Sequence, residues 1–217
     1  MKRLMLTICA ASFLLFACNS EKKTDEAKVA DASATEKPKD EPWVVIPDSV
    51  MWAKMQEYGK PGPMHQMLAS WSGTWTGETT MWDYEGAPAQ KSTGTAVNEM
   101  ILGGKYQRTK HSGTMMGMPF EGLSMTGYDN ATKQFTSTWM DNWNTGIMTM
   151  TGSWDEASKT LTMSGTYPDI FRPGKECKMR EVFKVIDDNN QVIEMYGPDQ
   201  KTGKEFKMME IKSTRKK

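Results

Sequence analysis

The sequence lacks an excess of charge of either sign, because 27 lysine and arginine residues balance 27 aspartate and glutamate residues. Proteins that bind nucleic acid through its phosphates carry a basic surface, and this balance gives no sign of one. We therefore expect no nucleic acid partner. Histidine is also scarce: His65 and His111 are the two in the chain and form no His-x-His pair, so no metal site is predicted.

Cysteine is equally scarce, with Cys9, Cys18 and Cys177 in the whole chain. Cys9 lies in an N-terminal apolar run and Cys18 at its end, so only Cys177 is expected as a free thiol in the mature chain. A lone cysteine is more often a small buried apolar residue than a nucleophile. The sequence also lacks a Ser/His/Asp or Cys/His arrangement and a phosphate-binding glycine loop. It therefore predicts no catalytic residues and no cofactor.

No long apolar run is present either, since the stretch from Leu4 to Phe16 is too short to span a bilayer. A basic start followed by such a run is typical of a secretory signal peptide. The residues Leu15 to Cys18 resemble the lipobox of bacterial lipoproteins, which implies a signal peptide over 1–17 and acylation of Cys18, for example with palmitate. We expect a lipid-anchored protein of the bacterial cell envelope, in the outer membrane; an ordinary soluble secretory signal is the alternative.

The segment after Cys18 contains no aromatic residue from Asn19 to Asp40 and consists largely of charged and small residues. Such a segment cannot bury enough apolar surface to offset the entropy lost on ordering. We predict a lipidated, disordered tether over 18–46 and one folded domain over 47–217, a length that provides a good core.

Two short helices are predicted before the strands. Asp48 to Gly59 has apolar residues near helical spacing, and Pro63 to Ser70 begins with a proline suited to a first turn. We expect both helices to close one end of the fold. Beyond Ser70 the pattern has period two, as in Thr160 to Tyr167, and turn sequences recur at hairpin spacing. About ten strands are predicted, an all-β antiparallel meander closed into a barrel.

With these strands placed, the chain shows several short motifs in a fixed order. They are Gly62-Pro63-Met64-His65, Gly73-Thr74-Trp75, Leu102-Gly103-Gly104-Lys105-Tyr106, Pro119-Phe120-Glu121-Gly122, Gly127-Tyr128-Asp129-Asn130, Ser137-Thr138-Trp139-Met140-Asp141 and Met209-Glu210-Ile211-Lys212. On these motifs the chain from Gly62 to Arg215 resembles a bacterial family of lipocalin-like β-barrels, domain of unknown function 1579. The resemblance implies a barrel and no known reaction, and Lys105 stands where we expect arginine in that family.

A shorter resemblance, Gly73-Thr74-Trp75, is to the Gly-x-Trp motif of true lipocalins. It implies that Trp75 plugs the barrel floor and that a basic side chain from the last strand lies across its ring. Arg215 is the matching candidate, with Lys212 as the alternative if the register differs. Barrel closure predicts that Phe206 to Arg215 pairs beside Thr74 to Met81.

The chain contains 20 methionines, including the run from Met115 to Met118. Thioethers are soft ligands for Cu(I), yet methionine also forms adaptable apolar linings, which we favour because no His or Cys accompanies the run. Four carboxylates lie on or beside strands and could do acid–base work, although Asp129 is better explained by a turn. They are Glu121, Asp129, Asp141 and Glu181.

The sequence thus favours a monomeric, membrane-anchored barrel that binds a small apolar or amphipathic molecule, with an assembly lipoprotein of filled interior and a copper-binding protein as alternatives. Barrels of this size can hold one small ligand. An enzyme is not favoured. The predicted ligand-binding residues are Trp75, Tyr106, Phe120, Tyr128, Trp139, Met148, Met150 and Met163.

Overall fold

Ten antiparallel strands form a closed barrel in the computed structural model, which describes residues 42–217. The predicted signal peptide, the predicted lipidation site Cys18 and most of the predicted tether lie outside these residues. Each strand pairs with its neighbours in sequence, and the first pairs with the last, so the predicted closed meander of about ten strands is confirmed.

Two helices precede the strands, α1 (Asp48–Tyr58) and α2 (Pro63–Ser70). The strands are β1 (Gly73–Met81), β2 (Gln90–Ile101), β3 (Tyr106–Met115), β4 (Met118–Asp129), β5 (Gln134–Asp141), β6 (Met148–Asp155), β7 (Thr160–Pro168), β8 (Glu176–Asp187), β9 (Asn190–Pro198) and β10 (Glu205–Arg215).

The closure between β1 and β10 runs from the pair Trp75 and Arg215 to the pair Met81 and Met209. The predicted pairing of the two terminal strands is therefore confirmed. Because β1 also pairs with β10, the barrel formed by residues 73–215 has no terminal edge strand.

Short polar turns connect the strands and explain why the chain reverses where it does. Between β4 and β5 the carboxylate of Asp129 accepts a hydrogen bond from the backbone N–H of Ala131 at 2.7 Å, as predicted for a turn. Between β6 and β7 Asp155 accepts one from the N–H of Ser158 at 2.7 Å. Lys133 and Lys159 complete these two turns with positive φ angles of 59° and 50°.

The helix α2 closes one end of the barrel. Leu68 is fully buried and packs in one cluster with Trp71, Phe135 and Leu161. At the start of α2 the backbone N–H of Gly62 donates to Nδ1 of His65 at 3.0 Å, which satisfies a free N–H of the first turn. His65 is thus a structural residue that caps the helix.

The helix α1 forms where predicted, but the expectation that it also closes the barrel is wrong. No residue of α1 is buried, and its large apolar residues Met51, Trp52, Met55 and Tyr58 are all more than two-fifths exposed. Across the described part of the chain, no helix has the length and apolar character needed to cross a bilayer.

Candidate ligand-binding cavity

Strand alternation sorts the side chains into an inner and an outer face. We call the end at α2 the closed end and the opposite end the open end. On β5, Phe135 and Ser137 are buried and face inward, while their neighbours Gln134 and Thr136 are exposed. Residues that pair directly across two neighbouring strands point to the same face. The inner face of each strand therefore follows from that of its neighbour.

At the closed end Trp75 forms the floor predicted from the Gly-x-Trp motif. Its ring is 1% exposed and its Nε1 donates to the carbonyl oxygen of Trp71 at 2.9 Å. The guanidinium of Arg215 lies 4.2 Å from the ring centroid, which confirms the predicted contact. Arg215 also donates from Nη2 to the carbonyl of Ser70 at 2.8 Å and from Nη1 to that of Ser72.

Just above the floor the interior is filled by side chains. Met150 and Met163, two of the predicted ligand-binding residues, are 4% and 3% exposed and belong to the core cluster. Tyr128, another of them, packs against Phe135 with ring centroids 4.9 Å apart. Together with Trp75, these residues face inward as predicted. They lie in the packed closed end of the barrel.

Nearer the middle of the barrel the inward-facing side chains are only half-buried. Since the wall is closed around them, a surface that remains accessible on the inner face borders space inside the barrel. These half-buried inner positions are the candidate lining of a cavity above the packed floor. The half-buried inner residues include Thr79, Ser124, Ile193, Met195 and Ile211.

The predicted residues Phe120, Trp139 and Met148 lie on the inner face toward the open end. Trp139 stacks on Phe120 with ring centroids 6.2 Å apart and pairs with Met148 on β6. Gly122 makes room for the indole, because a Cβ atom there would lie 2.5 Å from the Trp139 ring.

Asp141 holds this aromatic group in place. One carboxylate oxygen accepts a hydrogen bond from Nε1 of Trp139 at 2.8 Å, and the other accepts from the backbone N–H of Trp143 at 2.9 Å. Burial opposes ionisation, but these bonds and those from Asn144 outweigh it and lower the pKa of Asp141. Its role is to position the loop after β5.

Tyr106 does not line the cavity, and that prediction is wrong. It is 41% exposed, whereas the next residue, Gln107, is buried and donates from Nε2 to the carbonyl of Leu68 in α2 at 2.6 Å. The inner positions of β3 meet the polar backbone of α2, so they are polar and the aromatic residue faces outward. Its ring covers Gly127, where a Cβ atom would lie 2.6 Å away.

The cavity has one polar side and one apolar side. Strands β2 to β5 contribute hydroxyl groups, and Oγ1 of Thr126 lies 3.0 Å from Oγ of Ser137. Strands β6, β9 and β10 contribute mostly aliphatic and thioether side chains, which are Met148, Ile193, Met195 and Ile211. A wall of this kind suits an amphipathic molecule.

His111 and Glu181 are ionisable residues of the inner face, and neither side chain makes a hydrogen bond or ion pair within residues 42–217. Burial lowers the pKa of His111 to about 4, so the imidazole is neutral, and its ring lies 5.0 Å from that of Trp139. Burial raises the pKa of Glu181 to about 7. Each group is held away from bulk water, and this burial disfavours its charged form.

A cleft of about 320 Å³ separates β2 and β3 near the open end. Pairing of these strands stops at Gly94 and Gly113, which approach so closely that a Cβ atom on Gly113 would lie 2.9 Å from the Gly94 Cα. Both inner residues such as Ser92 and outer residues such as Lys91 line the cleft. It therefore opens the barrel wall at this point.

The methionines considered as copper ligands do not converge. Met116 and Met118 lie exposed at the turn between β3 and β4, while Met150 and Met163 are buried in the core. Within residues 42–217 no three His, Cys, Asp or Glu side chains lie together in a way that could hold a metal ion. The free thiol of Cys177 is buried, as expected for a lone cysteine.

Sequence reasoning named Glu181 as a carboxylate of a strand but did not place it in the cavity. The signal was present on β8, where every second residue is apolar except Glu181. These apolar residues are Cys177, Met179, Phe183 and Val185. A charged residue at a position of the inward-facing period marks a site that faces the interior.

A comparison with protein families gives one assignment for the chain. The family described as Protein of unknown function (DUF1579) matches residues 60–215, a range that includes α2 and all ten strands. No curated protein matches the sequence.

Proposed function

Since the chain belongs to the DUF1579 family, whose description gives no function, we propose one from the barrel interior: the protein binds a small apolar or amphipathic molecule. The observation that carries this proposal is the contrast along the inner face. Leu68 and Phe135 at the closed end are fully buried, whereas Thr79, Met195 and Ile211 above them retain accessible surface.

Enclosure gives such a ligand enough free energy to bind. Burial of about 300 Å² of its apolar surface would contribute roughly 7 kcal/mol before the loss of translational freedom is counted. Because the loss of translational and rotational freedom offsets several kcal/mol of this gain, apolar contact alone is expected to give dissociation constants near the millimolar range, and polar contacts must supply any tighter binding. The cleft between β2 and β3 supplies the proposed entry path, because residues of both wall faces line it.

We further propose that the barrel is held at a membrane of the bacterial cell envelope by acylation of Cys18, and that it acts as a monomer. The support is the lipobox-like sequence Leu15 to Cys18, after a basic start and a short apolar run. Several acyl chains hold a protein to a bilayer durably, whereas one alone does not. An anchored barrel would meet amphipathic molecules where they are most concentrated.

The cavity is tested by titration with Nile red, a neutral dye that fluoresces in apolar surroundings. The Cys18→Ser chain serves as the background, because the proposed acylation is then absent and no detergent competes for the cavity. We expect one saturable site per chain. The variant Ser124→Phe places a ring in the cavity and should weaken binding by about tenfold, since it removes the space the dye would fill.

Ser153→Phe is the matched control, because Ser153 is exposed on the outer face of β6. Both variants must retain the circular dichroism of the parent, so that dye binding reports on a folded barrel. Absence of dye binding to the folded parent, together with an electron density map of a filled interior, would favour the assembly lipoprotein instead.

A further inference from the structure

We propose that the cavity selects an amphiphile whose polar group is a hydrogen-bond donor, above all a protonated amine, and that the carboxyl of Glu181 recognises it. This inference rests on the proposed function and names the chemical class of its ligand.

Glu181 lies on the inner face of β8, in surroundings that are otherwise apolar. It pairs with Met163 of β7 on one side and with Met195 of β9 on the other. Its inward-facing neighbours on β8 are Met179 and Phe183. The titratable groups that share the inner faces of these three strands with Glu181 are Tyr167 and Cys177, which pair with each other nearer the open end, and neither carries a positive charge. A group with hydrogen-bonding capacity and no partner is thus turned toward the cavity.

The ionisable residue on the inner face of the opposite wall gives Glu181 no counter-charge. In the ring of ten strands, β3 and β8 are five strands apart in either direction, so His111 and Glu181 lie on opposite walls. The imidazole of His111 is neutral, as described above.

The inner face of the ten strands offers no free cation to an anionic amphiphile. Among the inward positions of the ten strands, no lysine occurs, and Arg215 is engaged at the floor by Trp75 and by the carbonyls of Ser70 and Ser72. A fatty acid would bring a second carboxylate into the space of Glu181. An unpaired charge in an apolar site costs several kcal/mol, whereas a protonated amine supplies the missing counter-charge.

The protonation equilibrium of the Glu181 carboxyl suits the binding of a protonated amine. Burial raises the pKa of its carboxyl to about 7, so near neutrality about half of the empty sites hold an uncharged carboxyl, and more do at lower pH. An ammonium group beside it favours the carboxylate and lowers the pKa again. Binding of an amine below pH 7 should therefore release a proton to the solvent, which a neutral ligand does not do.

The experiment compares dodecylamine, dodecanol and dodecanoate, which share one alkyl chain and differ in the polar group. Each probe displaces Nile red from the Cys18→Ser chain at concentrations below its own aggregation. We expect the order amine, alcohol, carboxylate. Glu181→Gln should weaken the amine by about tenfold or more, because it removes the charge-assisted bond, and change the alcohol by less than about twofold.

Two further variants make the result specific. Glu176→Gln changes an exposed glutamate of the same strand and should leave all three affinities unchanged. Glu181→Leu removes the polar group while keeping an apolar side chain, and should act on the amine as Glu181→Gln does. In calorimetry, proton release on amine binding should be present in the parent and lost in both Glu181 variants.

The inference is overturned if the amine shows no preference over the alcohol, or if Glu181→Gln leaves the amine affinity unchanged. In either case saturable binding of dodecanol would leave the proposed function standing. If neither Nile red nor any of the three probes binds the folded chain, the proposed function fails, and the inference fails with it.

Discussion

Arg215 closes the barrel by joining the last strand to the floor, and its removal gives the sharpest test of the fold. Its guanidinium lies over Trp75 and donates to three backbone carbonyls, those of Ser70, Ser72 and Asp188. A cation over an indole contributes about 0.5–2 kcal/mol, and each net hydrogen bond about 0.5–1.5 kcal/mol. Because Arg215 is only half-buried, we take values near the lower ends of these ranges and expect Arg215→Ala to cost about 2–3 kcal/mol.

A double-mutant cycle isolates the contact with the ring. Trp75→Phe keeps an aromatic ring but removes the Nε1 donor; the carbonyl of Trp71 then still accepts a bond from Asn98 Nδ2 at 2.9 Å. We expect a coupling energy between Arg215→Ala and Trp75→Phe of about 0.5–1.5 kcal/mol. The assay is urea denaturation followed by circular dichroism, since tryptophan fluorescence would change with the substitution itself.

Lys212→Ala provides the control for loss of a positive charge on β10. Its side chain is 67% exposed and its nearest carboxylate oxygen, on Glu210, is 3.5 Å away, so a change below about 0.5 kcal/mol is expected. Additive losses in the cycle would mean that Arg215 and Trp75 do not interact. A cost for Arg215→Ala no larger than that for Lys212→Ala would refute the reasoning about closure.

Two further predictions concern the anchor and the interior. Cys18→Ser should move the protein from the membrane to the soluble fraction, because acylation requires the thiol; unchanged fractionation would contradict the lipobox interpretation. The folded pKa of His111 is about 4, below its usual value of 6.5, so the unfolded chain binds the extra proton as the pH falls from about 6.5 to 4. The free energy of unfolding of the parent should therefore decline across that window by about 3 kcal/mol more than that of His111→Phe. Urea midpoints at each pH measure this difference. Parallel pH profiles of parent and variant would contradict the burial of the imidazole.

The order of elements could be predicted from the sequence because local signals were strong. Period-two alternation and polar turns specified the meander, and the Gly-x-Trp resemblance specified Trp75 and Arg215 as partners 140 residues apart in sequence, a pairing that the closed barrel confirms. These features depend on neighbouring residues or on one short motif, so a single sequence carries them.

What could not be predicted depends on which element covers which face. In β3 the polar residues Gln107 and Thr109 face inward toward α2 and Tyr106 faces outward, so hydrophobicity alone gave the wrong side. The apolar residues of α1 have helical spacing, yet spacing does not say what a helix packs against, and α1 buries none of its residues. Tertiary contacts decide both cases.

The degree of burial also separates residues whose substitution tests stability from residues whose substitution tests binding. Met150 and Met163 were predicted to bind ligand, yet both are packed into the closed end, so a charge there would unfold the barrel before it emptied a site. Ser124 and Glu181 also face inward but are only half-buried, so substitutions there are expected to remove fewer packing contacts. Loss of binding at these two positions in a folded chain therefore tests the cavity itself, whereas loss of binding in Met150→Glu would not.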